Sequence, residues 1–179
     1  MSTEIVGNLV SAFVGVLGVL IGSTLTYKLN HRSEMVLIRK KIIIEKIQET
    51  QHGLYVMARQ FGKLTLGLGQ IEHEKISKEE FLKISDQVQE ECGTIIRAIR
   101  VNEVFLKEFI SKINQLIDQT NVFHDLIYDA YTFPNSPSNR NYSHDQLSYE
   151  HIEYLINKAI ETVFEIKNDL DQKIEIELQ

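Results

Sequence analysis

The sequence predicts an all-α protein in which one N-terminal transmembrane helix continues into an antiparallel cytoplasmic bundle of about four helices. Three observations carry this expectation. Ile5 to Tyr27 is 23 residues long and holds no charged side chain. The chain has two prolines, both in one short stretch, and no run of alternating polarity that would mark a strand. Its apolar residues otherwise recur at spacings of three and four, the period of one helix face.

The first stretch sets the organisation. As a helix, 23 residues rise about 35 Å, enough to cross a hydrocarbon core of about 30 Å. A secretory signal would need a basic n-region, whereas the residues before the span, 1–4, read MSTE. A soluble core helix would not stay apolar on every side for so long. Orientation follows from the flanks. Between Lys28 and Lys63 there are eight basic side chains against three acidic ones, and the short tail before the span has none that is basic. The basic side of a span stays in the cytoplasm. The expected protein is therefore a single-pass protein of the inner (plasma) membrane, with the N-terminus outside and the long C-terminal part inside.

Inside the span the small residues are in register. Gly7, Ser11, Gly15, Gly18, Gly22 and Thr26 follow one another at 4, 4, 3, 4 and 4. At about 100° per residue they share an arc of roughly 100°. Such a ladder, with Gly18-x-x-x-Gly22 inside it, lets two backbones approach closely in lipid, where packing replaces the hydrophobic drive. The expected partners are the bilayer, and either further copies of the chain or another membrane protein.

The net charge of −6 hides a partition. Residues 1–27 carry −1, residues 28–63 carry +5 and residues 64–179 carry −10. The collar side chains Lys28, Arg32, Arg39, Lys40, Lys41 and Lys46 suit an anionic membrane surface, with an acidic body held away from it. No nucleic-acid partner is expected, because duplex binding needs clustered Lys and Arg. The single cysteine, Cys92, excludes an internal disulfide and falls in an apolar helical series, so it reads as a small buried hydrophobe.

The expected segments are the tail 1–4, the span 5–27, a basic juxtamembrane helix 28–69 and an acidic helical body 70–179. In the juxtamembrane helix Ile43, Ile47, Leu54, Met57, Phe61, Leu64 and Leu68 form a heptad-like seam that needs a partner surface. Gly67-Leu68-Gly69 is the expected stop. Ser77 with Glu80 forms a capping box that opens a second helix, whose inward stripe is Phe81, Ile84, Val88, Cys92, Ile95 and Ile99. Asn102 is expected to cap a third helix over about residues 103–131, although no Gly or Pro separates helices two and three. After the loop Pro134 to Gln146, a last helix starts near Ser143 or Ser148 and runs to about Lys173, leaving a frayed tail. Tyr149, Ile152, Ile156, Ile160, Val163 and Leu170 mark its inner face.

Sites for chemistry are few. Glu49-x-x-His52 has the spacing of a di-iron half-site, but no second such motif exists, so no metal or other cofactor is implied. His124, His144 and His151 are expected on helix surfaces or in the loop. Tyr128 and Tyr131 flank the loop as contact material or core packing. Arg140-Asn141-Tyr142-Ser143-His144 resembles a shortened form of the Arg-Asn-x-x-x-His element of the higher-eukaryote and prokaryote nucleotide-binding ribonucleases. That resemblance implies a helical bundle in which Arg140 and His144 act on an RNA phosphate. Three residues separate Arg140 from His144, fewer than in the family's pattern.

The expected role is non-catalytic: an anchored helical protein that oligomerises or joins a membrane complex and presents an interaction bundle. Such designs serve as phage-defence or exclusion proteins and as accessory subunits of membrane complexes. A membrane-permeabilising effector or toxin is the second reading, and the ribonuclease-like bundle the third.

Overall fold

The computed structural model describes residues 3–132 and 142–178. Among them are four α-helices and no strand: α1 (Thr3–Glu72), α2 (Lys78–Val101), α3 (Ile110–Thr132) and α4 (Tyr149–Leu178). Short 3-10 turns lie at Glu103–Phe105, Lys107–Phe109 and His144–Leu147. The chain divides into two compact units, one ending at Ile43 and the other beginning at Ile44.

The first unit is the N-terminal part of α1. Among the described residues α1 is the one helix long and apolar enough to cross a membrane, through a stretch near the N-terminus that is wholly unburied. Phe13, Val19, Leu20, Ile21 and Leu25 are all exposed. Leaving a side chain of this kind in water instead of burying it forgoes roughly 1.5–3 kcal/mol, so the stretch calls for lipid or protein cover.

The second unit has its own core, built where the apolar period allows. Ile47, Leu54, Met57, Phe61, Leu64 and Leu68 of α1 are fully buried, and Thr50 fills the same stripe by donating its hydroxyl to the Lys46 carbonyl at 2.9 Å. Facing them are Phe81, Val88, Cys92 and Ile99 of α2, Phe123 and Ile127 of α3, and Ile152, Ile156, Val163 and Leu170 of α4. Ile84, Ile95 and Ile160, also expected inward, are half-buried, and so is Ile43, the last residue of the first unit. The cross-helix pairs have a consistent direction. Along α1 and α2, Glu49 meets Asn102, Gln60 meets Glu91 and Lys63 meets Gln87. Along α3 and α4, Glu108 meets Lys173 and Lys112 meets Asp169.

Helix ends differ from expectation in four places. First, α1 passes Gly67 and Gly69 and stops at a Schellman motif. The N–H of Lys75 donates to the Gln70 carbonyl at 2.8 Å and that of Glu74 to Ile71 at 3.0 Å. Glu74 takes the left-handed position with φ 55° that glycine usually fills. The glycines stay helical because Gly67 lets the Phe81 ring close in: a Cβ there would lie 3.3 Å from its Cδ2. Second, Asn102 makes no side-chain cap for a following helix. It ends α2, with its N–H on the Ile99 carbonyl at 3.0 Å and its amide on Glu49 at 3.3 Å.

Third, α3 opens at Ile110 and not at residue 103, because residues 103–109 form two successive 3-10 turns. These turns bring Leu106 and Phe109 inward, both buried, at a spacing of three that suits a three-residue turn. Fourth, the tail is not frayed: α4 reaches Leu178. Asp171 accepts from Gln51 at 2.7 Å and Lys167 at 2.9 Å, and Lys173 bridges Glu108 at 2.8 Å and Glu177 at 3.4 Å. The expected helix starts hold elsewhere. Ser77 and Glu80 form the reciprocal capping box, and Ser143 with Gln146 forms another that opens the 3-10 turn before α4.

Candidate functional site

In the first unit the small residues make an open face. A Cβ placed on Gly15, Gly18 or Gly22 meets nothing within 4 Å, so no part of the described chain packs there. Thr26 is exposed as well, and the side chains at Gly7 and Ser11 lie outside the described residues. The hydroxyls nearby are satisfied internally. Ser23 donates to the Leu20 carbonyl at 3.1 Å, and Thr24 donates to Leu20 and to Ile21. Such back-bonding lets a hydroxyl sit on an apolar helix without an orphaned polar group. Of the collar, Lys28, Arg32, Arg39 and Lys41 are exposed and Lys40 is half-buried. Tyr27 stacks on His31 with ring centroids 6.1 Å apart.

Lys46 belongs to the second unit and is engaged there. Its ammonium pairs with Glu49 at 2.8 Å, and that hydrogen bond, followed by the one from Asn102, holds the Glu49 carboxyl below the usual range. Glu49 is thereby occupied, while His52 three residues on is exposed. No group of three or more His, Cys, Asp or Glu side chains among the described residues is placed to hold a metal ion.

Beside this cluster α1 and α2 leave an open groove of about 600 Å³. Much of its lining is apolar, from Gly53, Val56, Ile95, Ala98 and Ile99. The polar groups at its end satisfy one another through the Lys46–Glu49–Asn102 contacts and the Thr50 hydroxyl. Gly53 is what allows the helices so near: a Cβ there would lie 3.0 Å from Ile95 Cγ2. The sequence reading missed this groove. Its signal was the glycine inside an otherwise good helix. A second, more polar groove of about 540 Å³ runs between α3 and α4, lined by residues such as Asn114, Asp118 and Lys158.

Two groups expected at the surface or in the core resolve clearly. Cys92 is buried, and burial, with Glu91 nearby, pushes its thiol up to about 12. His124 is not on the surface. It is 6% exposed, its ring lies tilted against Phe123 with centroids 4.7 Å apart, and burial pulls its imidazole down to about 4. Its Nε2 has no hydrogen-bond partner. Of the tyrosines flanking the loop, Tyr128 is exposed and Tyr131 packs on Phe81 with centroids 4.9 Å apart.

Of the five residues resembling the ribonuclease element, Arg140 and Asn141 lie outside the described residues, and so does the side chain of His144. Ser143 serves as the cap of the 3-10 turn, and the His144 backbone opens it. No family model, curated protein or solved structure matches the chain.

Proposed function

We propose that this chain is a single-span membrane protein that assembles through its small-residue face, with copies of itself or with another membrane helix, and holds an acidic antiparallel bundle on the cytoplasmic side. Its role on this reading is to scaffold or regulate a membrane complex, not to catalyse a reaction. The observation that carries it is the open face at Gly15, Gly18 and Gly22 on the apolar stretch of α1 near the N-terminus, which is wholly unburied. The opposed directions of the α1–α2 and α3–α4 contacts support the antiparallel bundle. The exposed cations Lys28, Arg32, Arg39 and Lys41 support a cytoplasmic leaflet beneath the span.

Changing Gly15, Gly18 and Gly22 together to Leu tests the reading. In native membranes the variant is expected to stay in the membrane fraction and lose the crosslinked assemblies that the parent chain forms. Unchanged assemblies would remove the glycine face from the argument. Extraction in mild detergent with mass determination then separates the two kinds of partner, a lone homo-oligomer or a complex with a stoichiometric second protein.

A further inference from the structure

We propose that the groove between α1 and α2 seats the same groove of a second copy, forming a two-fold contact separate from the glycine face. The proposal rests on the assembly reading above and names where the bundles meet.

The groove first selects an apolar occupant. Lys46, Glu49, Thr50 and Asn102 at its polar lip are bonded within the chain, which leaves the His52 imidazole as the open polar group of the lining, while Gly53, Val56, Ile95 and Ala98 offer apolar surface. Beside it Val101 stands 79% exposed, an apolar side chain with no cover in its own chain. The same patch thus holds a hollow and a projection, the arrangement an isologous contact uses.

The charges on the two rims are complementary. On α1 the outward stripe is Glu49, His52, Val56 and Arg59, and on α2 it is Glu90, Thr94, Arg97 and Val101. Contacts inside one copy fix their levels, since Gln60 meets Glu91 and Glu49 meets Asn102. Arg59 is therefore level with Glu90, Val56 with Thr94, and Glu49 with Val101 beside Arg100. A two-fold axis parallel to these helices places the α1 rim of one copy against the α2 rim of the other at the same level. Arg59 then opposes Glu90 twice, Val56 meets Thr94, and Arg97, which donates to the Thr94 hydroxyl at 2.9 Å, lies level with Gly53. Among the described residues neither Arg59 nor Glu90 has an ion pair within its own chain, and both are exposed. Anchoring in one membrane raises the effective concentration of the copies, so a modest patch suffices.

The test uses the full chain in membranes, with two differently tagged copies expressed together. One carries His52→Cys and the other Ala98→Cys, both at exposed positions on opposite rims. Cys92 stays in place, because its buried thiol does not compete. A short bismaleimide is expected to join the two tags at least tenfold more than it joins Gln115→Cys to His52→Cys, Gln115 being exposed on α3. Arg59→Glu is expected to lower the product severalfold, and adding Glu90→Arg to restore it. Thr26→Cys in both copies reports the anchor contact in parallel. Loss of the groove product with the Thr26 product intact overturns the groove and leaves the assembly reading standing. Loss of both overturns the assembly reading and this inference with it. A Gln115 product equal to the groove product, or a double charge reversal that fails to restore, also overturns the groove.

Discussion

Phe61 of α1 and Phe123 of α3 meet edge to face, ring centroids 5.2 Å apart and planes at 87°, at a point where both are fully buried. This pair ties α1 to α3 inside the second unit. Phe61→Ala is expected to destabilise the fold by about 3–5 kcal/mol. Denaturant unfolding of Phe61→Ala, Phe123→Ala and the double variant measures it. A coupling of about 0.5–1.5 kcal/mol reports the ring contact itself, and purely additive losses would show that the rings act only by filling space.

Glu74 occupies a left-handed position that disfavours any side chain with a Cβ. Glu74→Gly is expected to raise stability by about 0.5–1 kcal/mol, read as a shift in the unfolding midpoint. Glu74→Val, with its branched Cβ, should lower it. Equal stability of the three chains would mean that the turn relaxes in solution.

The helix glycines separate by what lies over them. Gly62 has nothing within 4 Å of an added Cβ, so Gly62→Ala should stabilise α1 by about 0.5–1 kcal/mol. At Gly67 the Phe81 ring and Ile84 already press on that space, so Gly67→Leu should cost about 1–3 kcal/mol. Thermal unfolding of the two variants should move in opposite directions.

His124 gives the second unit an acid sensitivity. Burial lowers its folded pKa to about 4, below the ordinary 6.5, so the unfolded chain takes the proton first. Its neutral form therefore contributes stability in full above pH 6.5, and that contribution is lost as pH falls from 6.5 towards 4. The loss is on the order of 3 kcal/mol. His124→Leu should flatten the stability profile across that window. An unchanged slope would assign the acid sensitivity to carboxylates such as Asp171, which Lys167 and Gln51 hold below the usual range.

Cys92 offers a cheap probe of the same core. With its thiol raised to about 12 by burial, it should resist maleimide at pH 8 in the folded protein and react fully in denaturant. Rapid labelling without denaturant would mean that α2 opens away from the core.

Much of the second unit was legible from period and caps. The seam from Ile47 to Leu68 needed only its heptad spacing, and Ser77 with Glu80 fixed the start of α2 from four residues. What was not legible depends on tertiary contact. Gly67 and Gly69 read as a stop because the sequence does not show the Phe81 ring that favours keeping the helix there. His124 read as a surface residue because a polar side chain next to Asp125 looks solvated until the packing around it is seen to bury it. The turns at 103–109 carry a spacing of three that a longer helix pattern masks. Of the candidate surfaces, the glycine ladder follows from spacing along one helix, whereas the α1–α2 groove depends on how closely two helices approach at Gly53.

The two capping boxes, Ser77 with Glu80 and Ser143 with Gln146, have a consequence for how the chain reaches this state. Each sets where its helical turn begins through bonds spanning four residues, so that choice does not depend on contact between helices. Registry is then decided locally, and neighbouring helices pair over short sequence separations, conditions under which folding is fast. It also means that residues inserted just upstream of Ser77 leave α2 in phase with its partners. The connector before α2 can therefore lengthen over evolutionary time without rewriting the core.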